Sequence, residues 1–419
     1  MAYFNPDQPQ AFLDDLMRAA IAAANPLEAV PQHLPSPPIG RTVVLGAGKA
    51  SAAMAKAVEE NWQGDLSGLV VTRHGFSVPC DHVEIIEAAH PVPDSAGREA
   101  ASRILAMAHS LGPDDMCLAL MSGGASALLT QPKRGISFKD KQEVNRLLLR
   151  SGANITEINT VRKHLSGVKG GQLARAVQPA KLVTLMISDV PGDDPGVIGS
   201  GPTVPDPTTF ADARAVVDKY CIELPVSVRD HLDRGAEETP EADDPAFSGA
   251  KQQIVARPQD SLRAAATVAR AAGVEVITLS DQLEGEARDV ARKHAAMAQE
   301  GRGGPRVYLS GGELTVTIRG DGGGGPNAEF MLSLALALDS DPRVHALAID
   351  TDGIDGSEDN AGARITPDTL KRAKILGLDA NAYLLNNDSY GFFAGIDDLV
   401  MTGPTFTNVN DFRALLVLS

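Results

Sequence analysis

The sequence predicts an α/β protein of two domains, the first built on a doubly wound, mostly parallel sheet. Three observations lead there. Short apolar runs bounded by Gly or Pro alternate with helical stretches along most of the chain, the pattern of strands covered on both faces. Aromatics make up only 4% of residues, so Ala, Leu, Val and Ile carry the apolar load, which suits helices packed on parallel strands. A length of 419 residues exceeds one ordinary domain.

The elements follow in order. Residues 10–25 are expected to be helical, with Phe12, Leu13, Leu16, Ala19 and Ile21 broadly on one side, before the Pro-rich stretch Pro26 to Pro38 ends the helix. Thr42 to Leu45 reads as a buried strand and Lys49 to Trp62 as a helix. Leu69 to Val71 and Val83 to Ile86 are further strands, followed by a helix near 96–110 and the strand Met116 to Met121. Helices near 137–151 and 159–177 precede the strand Leu182 to Ile187. Around 222–250 the composition turns acidic and Pro-interrupted (EETPEADDP), which reads as an inter-domain linker or an exposed excursion. Alternation then restarts with Ile254-Val255, a helix at 259–272, a strand at 274–279 and a helix at 285–299. A hairpin-like Val307 to Ile318, a helix at 327–338 and a strand at 344–349 follow. The expected domains are 1–245 and a smaller 246–419, with the N-terminal helix free to pack on the second.

Composition narrows the function classes. The formal charge of −16 argues against nucleic acid or an anionic membrane as partner, although a few Lys and Arg can still make one pocket positive. Cys80, Cys117 and Cys221 form no CxxC pair, so neither a zinc knuckle nor a disulfide framework is expected, and a reducing cytoplasm fits. The N-terminus lacks the basic and apolar regions of a signal peptide, and no apolar run reaches membrane-spanning length. Self-association into a homo-oligomer is compatible with all of this.

Five segments can carry chemistry. Leu45-Gly46-Ala47-Gly48-Lys49-Ala50 runs from strand through a Gly-rich turn into a helix, where backbone N–H groups can meet an anion. It is neither a P-loop nor a full dinucleotide fingerprint, since Ala50 and Ser51 stand where those need Ser/Thr and Gly. Either Lys49 partners a phosphate, or this is a tight turn with a solvated Lys. Ser122-Gly123-Gly124 follows another strand, and Ser310-Gly311-Gly312-Glu313 repeats the pattern in the second half. Two such turns, one per domain, favour a phosphorylated ligand. Asn159 to Gly171 holds Arg162 and Lys169, which on one continuous helix would share a face and clamp an anion; a solvated basic face is the alternative. Asp189 and Asp193 lie just beyond a buried strand, where α/β enzymes place bases and metal ligands. Asp350 and Asp352 follow a second strand. Their spacing, with Ala361 at the twelfth position, excludes an EF-hand and suits Mg²⁺ held through phosphate oxygens, or a plain Asp-rich turn. No hydrolase triad signature is present.

Taken together, LGAGKAS, MSGGASALL, INTVRKHLSGVKGGQLA, ISDVPGDDPGVIGSGPTVPDPTTF, LSGGELTV, DTDGIDG and TGPTFTNVND resemble the class II glycerate kinases, the glycerate 2-kinase or MOFRL-domain family. The segments occur in order over about 45 to 411. The resemblance implies two α/β domains, the second MOFRL-like, with the active site in the cleft between them. It implies ATP-dependent phosphorylation of D-glycerate, usually at the 2-hydroxyl, with Mg²⁺ or another divalent cation. Lys49 and Asp189 match the family's pocket lysine and strand-end aspartate. The substrate is then expected at Ser122, Gly123, Gly124, Arg162 and Lys169. Nucleotide is expected at Ser310, Gly311, Gly312, Glu313, Asn327, Glu329 and Asn408, and metal at Asp189, Asp193, Asp350 and Asp352. One departure stands out: the family's commoner Gly-Gly-Arg-Asn-Gln-Glu reads Gly324-Gly325-Pro326-Asn327-Ala328-Glu329. The arginine is absent at Pro326, leaving Arg162, Lys163 or Lys169 to stabilise the transferring phosphoryl group. Family members also carry the label hydroxypyruvate reductase, so an NAD(P)H-dependent reductase is the alternative, and a non-enzymatic sugar-phosphate-binding protein a further one.

Overall fold

The computed structural model describes residues 3–300 and 303–418. It divides the chain into two compact units, Pro26–Val255 and a second made of the residues up to Asn25 together with those from Ala256 on. The division therefore falls at 255/256, ten residues beyond the expected boundary of 245, and the N-terminal helix Pro9–Ala23 belongs to the second unit.

In the first unit, strands β1 (Thr42–Ala47), β2 (Leu66–Arg73), β3 (Val83–Ala88), β4 (Met116–Met121), β5 (Lys181–Ile187) and β6 (Lys251–Ala256) form one sheet in the order β3-β2-β1-β4-β5-β6. The pairings β3/β2, β2/β1, β1/β4 and β4/β5 are all parallel. Strands β1 and β4 are buried along their whole length, as a sheet covered on both faces requires. Val43, Leu45, Cys117 and Ala119 pack with helix Ser95–His109, while helix Ser51–Asn61 lies against β1, β2 and β4. Ile254-Val255, expected to open the second domain, instead belongs to the edge strand of this first sheet.

A cluster of helices attaches to this sheet and positions the site. Helices Phe138–Arg150, Ile155–His164, Phe210–Lys219 and Val226–Arg234 share the apolar residues Val144, Leu148, Val161, Phe210, Val228 and Leu232. The acidic stretch expected to be a linker is thus part of the unit. Its apolar Val228 and Leu232 are buried, and Glu238 accepts the Phe210 N–H while facing the His164 ring at 2.8 Å. The helix expected over 159–177 is broken. Asn154 and Glu157 close a capping box at its start, the helix stops at His164, and left-handed Gly170 and Gly171 turn the chain before Gln172–Val177.

The second unit carries β7 (Glu275–Glu286), β8 (Arg306–Thr315), β9 (Val344–Asp350), β10 (Gly362–Ile365), β11 (Leu399–Val400) and β12 (Asp411–Val417), in the order β11-β10-β9-β12-β8-β7. Of the described strand pairs in this mixed sheet, β7/β8 is parallel and the others antiparallel. The expected hairpin at 307–318 is one strand, β8, because its parallel partner β7 is joined to it through the crossover helix Ala287–Glu300. One face of the sheet is covered by helices Pro9–Ala23 and Pro258–Ala271, the other by Ala287–Glu300 and Pro326–Leu338. Phe12, Leu13, Leu16 and Met17 enter this core, each burial contributing about 1.5–3 kcal/mol. Among the described residues no helix is long and apolar enough to cross a membrane.

Candidate active site

Register aligns Ala47 with Met121 and Met121 with Met186, so the turns after β1, β4 and β5 lie side by side at the carboxyl edge of the first sheet. There the first two lock together. The Lys49 N–H donates to Gly123 O at 2.8 Å, the Ala50 N–H to Ser122 Oγ at 3.0 Å, and the Ser122 N–H to Ala47 O at 3.1 Å. Gly48 has φ +131°, and a Cβ on it would lie 2.1 Å from Ser122 Oγ. The N–H groups expected to cradle an anion are therefore taken up by the neighbouring turn. Ser122 is fully buried and its Oγ accepts the Ala50 N–H at the helix N-terminus. The third residue of that turn faces outward: a Cβ on Gly124 (φ +81°) would lie 3.2 Å from the His90 ring and 3.4 Å from Lys49 Cγ.

Gly124 opens onto a pocket of about 310 Å³ whose polar lining includes His90, Ser126, Lys141, Asn145, Arg162 and Lys169. The break in the helix after His164, which undoes the expected shared helical face, brings Arg162 and Lys169 to this pocket by two different routes. Arg162 Nε donates to Asn145 Oδ1 at 2.5 Å, across from helix Phe138–Arg150. Lys169 follows the turn Leu165–Val168 and its Nζ donates to Leu129 O. Lys141, which nothing in the sequence singles out, donates to Gln131 O at 3.3 Å and Leu165 O at 3.4 Å. Among the described residues no carboxylate lines the pocket. Burial, then the neighbouring Arg162, holds Lys141 down to about 7. Burial, reinforced by Lys141 and Arg162, pushes Lys169 well below its ordinary value. Burial likewise lowers Arg162, so three desolvated basic groups gather here with no carboxylate among the described lining residues. Lys163, by contrast, is paired with buried Asp206 at 3.4 Å and serves the fold.

Glycines fix the surrounding loops. The N–H groups of Gly170 and Gly171 donate to Ser200 O and Gly201 O, so KGGQLA and IGSGP form a single clasp. Ser200 Oγ meets Ser126 Oγ at the pocket wall. Asp189, half-buried, follows Ile187 at the end of β5, and Asp193 sits three residues after Val190 with φ +56°. Asp194 spends Oδ1 on the Gly196 N–H at 2.8 Å. Among the described residues no three His, Cys, Asp or Glu side chains gather as a metal-binding group. Two carboxylates from one loop nevertheless match the hard oxygen donors that Mg²⁺ takes when phosphate oxygens supply the rest.

The second unit departs further from expectation. Ser310, Gly311 and Gly312 open no helix; they lie inside β8, paired with β12 and with a bulged β7. Their groups are used internally. Arg413 Nη1 donates to Gly311 O at 2.9 Å, and a Cβ on Gly312 would strike Leu283 N at 2.2 Å. His294 Nδ1 faces Val290 O at 2.9 Å and must carry the proton there, so Nε2 accepts from Ser310 Oγ at 3.2 Å. Asn327 is buried and bridges Asp355 and Asp411, the Nδ2–Asp411 Oδ1 distance being 2.6 Å. Glu329 is buried against Arg288 Nε at 2.6 Å and Asn387 Nδ2 at 3.0 Å. The hydrogen bonds described for these residues lie within the unit. Asp352 is buried with Oδ1 on the Ile354 N–H, and Asn408 is buried with Oδ1 on the Asn410 N–H. Asp350 is half-buried and Glu313 exposed. Asp350 Oδ1 accepts the Asp352 N–H at 2.9 Å.

Comparison with known proteins agrees with this arrangement. Residues 12–233 match a family model described as a domain of unknown function (DUF4147), and residues 306–411 match the MOFRL family. The D-glycerate 2-kinase of Thermotoga maritima is 39% identical, covering 99% of this chain and all of the relative. The chain belongs to the MOFRL-domain glycerate kinase family. A crystal structure of the glycerate kinase from Thermotoga maritima superimposes with a TM-score of 0.88 at 37% identity, over 99% of this chain and all of that one. Another relative, from Agrobacterium vitis and provisionally named a hydroxypyruvate reductase, is 52% identical over 99% of this chain and 96% of its own length. Within the family frame, Pro326 is the first residue of helix Pro326–Leu338, a position that tolerates Pro because its N–H would be unpaired there.

Proposed function

We propose that this protein phosphorylates D-glycerate at the 2-hydroxyl with ATP, yielding 2-phosphoglycerate. The observation that carries the reading is the pocket at the carboxyl edge of the first sheet, where Lys141, Arg162 and Lys169 converge without a carboxylate, next to Lys49. Relatives named glycerate kinase supply the substrate class. Arg162 and Lys169 orient the carboxylate of glycerate. Lys49 supplies the charge that builds on the phosphoryl oxygens in the transition state, since phosphoryl transfer depends on positioning and electrostatic stabilisation. Asp189 either accepts the hydroxyl proton or, with Asp193, holds Mg²⁺, which would neutralise phosphate charge. In the second unit Asp350 and Glu313 offer carboxylates to the nucleotide side.

The reductase reading draws on the order β3-β2-β1-β4-β5-β6, which is that of dinucleotide-binding sheets. Such folds seat a pyrophosphate on the first helix N-terminus. Here Ser122 and Gly123 already occupy the N–H groups of Ala50 and Lys49. The deciding assay offers D-glycerate with Mg-ATP, and hydroxypyruvate with NADH, in parallel. ADP formation with the ³¹P signal of 2-phosphoglycerate is expected, and Lys49→Ala should cut turnover by at least about a hundredfold. NADH oxidation without ADP formation would overturn the kinase reading.

A further inference from the structure

Lys141 is the residue the sequence gives no reason to select. It lies on the amphipathic helix Phe138–Arg150, whose buried Val144 and Leu148 face the helical cluster. Its ammonium group meets two backbone carbonyls, Gln131 O and Leu165 O, at the long end of hydrogen-bonding distance. The same stretch of backbone, at Leu129 O, receives Lys169. Two lysines from separate elements are thus tethered to one short segment, with Arg162 held over the same pocket by Asn145. The other titratable group lining the pocket is His90, and among the described residues no Asp or Glu does so. A structural lysine in so acidic a chain would more economically face a carboxylate, as Lys163 faces Asp206.

We propose that Lys141 completes, with Arg162 and Lys169, a three-cation site for the carboxylate of the small acid, and that it takes up a proton from solution as that anion enters. The inference rests on the kinase reading for the identity of the acid, but not for the anion site itself. Burial and Arg162 hold Lys141 down to about 7, so above neutrality the empty pocket contains much of it as the neutral amine. An entering carboxylate supplies the missing counter-charge and restores the ammonium form. The sign follows: affinity is greatest below pH 7 and falls as pH rises through the titration of the empty site. Lys169, pushed well below its ordinary value by burial beside Lys141 and Arg162, takes up a proton in the same direction, so the test must isolate Lys141.

Calorimetric titration of the full chain with D-glycerate, in buffers of different ionisation heat, counts protons taken up per anion bound. Uptake of about half a proton or more at pH 8 is expected, with affinity falling roughly tenfold between pH 7 and 8.5. In Lys141→Arg, whose charge is permanent, the share of uptake and slope due to Lys141 should vanish while that of Lys169 and binding persist. Lys141→Met should weaken binding about tenfold or more at pH 7. Should the methionine variant fail to fold, the arginine variant decides. Wild-type uptake and slope retained in Lys141→Arg would overturn the proposal and leave the kinase reading standing. Inorganic phosphate serves as the second probe. If phosphate binds with Lys141-dependent uptake and glycerate does not bind at all, the cation site stands and glycerate is the wrong acid. If neither anion binds, both readings fall.

Discussion

A buried hydroxyl in the turn after β4 holds the turn after β1 in place. Ser122 Oγ is the acceptor for the Ala50 N–H, so Ser122→Ala leaves a buried donor unsatisfied and should cost about 1–3 kcal/mol of stability, read from urea denaturation. Its effect on the KM for glycerate should be small by comparison, and a variant of unchanged stability with a much raised KM would restore Ser122 to the binding surface. At this scale the sequence was only partly legible. Arg162 and Lys169 could be nominated because three cations within eight residues are conspicuous in an acidic chain. Lys141 could not, because it sits among the ordinary surface charges of an amphipathic helix and is brought in only by the fold of Leu129 to Gln131 against Leu165. For Asn327 and Glu329 the sequence offers only a glycine-rich context, and their internal partners Asp411 and Arg288 come from distant parts of the chain that composition does not reveal.

Among elements, strand β8 and the helix before it couple through His294. Burial holds this imidazole down to about 4, from an ordinary value of 6.5. A depressed histidine contributes stability that is present above pH 6.5 and lost as pH falls towards 4, because only the unfolded chain gains the proton. Wild type should therefore lose about 3 kcal/mol relative to His294→Gln between pH 7 and 4, measured as the difference between their urea midpoints. Parallel pH profiles would show that the ring is not held neutral. Asp355, raised to about 7 by burial, acts in the opposite direction over the same range and cancels in this comparison. Elements were the level at which the sequence spoke most clearly. Met116 to Met121 and Pro326 to Leu338 were legible because apolar runs end sharply at Gly or Pro. The Ser-Gly-Gly repeat misled because the same three residues suit both a left-handed turn, as at Gly124, and a bulge-facing strand, as at Gly312. What separates them is which strand lies alongside, and that is a long-range fact.

For the whole molecule, the cores explain where the chain can be cut. Two apolar clusters of the first unit, one around Val43 and Ile104 and one around Val144 and Phe210, draw only on residues between Val43 and Ile254. The segment Pro26–Val255 expressed alone should therefore unfold cooperatively, as followed by circular dichroism during heating. A gradual, featureless melt would mean that it depends on the rest of the chain. The number of domains was legible from length and from the renewed alternation after 254, but the boundary was not. Composition marked 222–250 as foreign to its surroundings, while packing makes it part of the helical cluster through Val228, Leu232 and Glu238.

The placement of helix Pro9–Ala23 has a consequence for synthesis. Its partners Leu262, Ala265, Phe412 and Leu416 come more than two hundred residues later in the chain. At about 5–20 residues per second, a ribosome needs about 10–50 s to reach Leu262 and about 20–80 s to reach Phe412. Throughout that time Phe12, Leu13, Leu16 and Met17 emerge with nothing of their own unit to cover them, while Pro26–Val255 is free to fold behind them. The nascent chain thus trails an apolar helix, a ready handle for a chaperone and a point at which two nascent copies can trap one another.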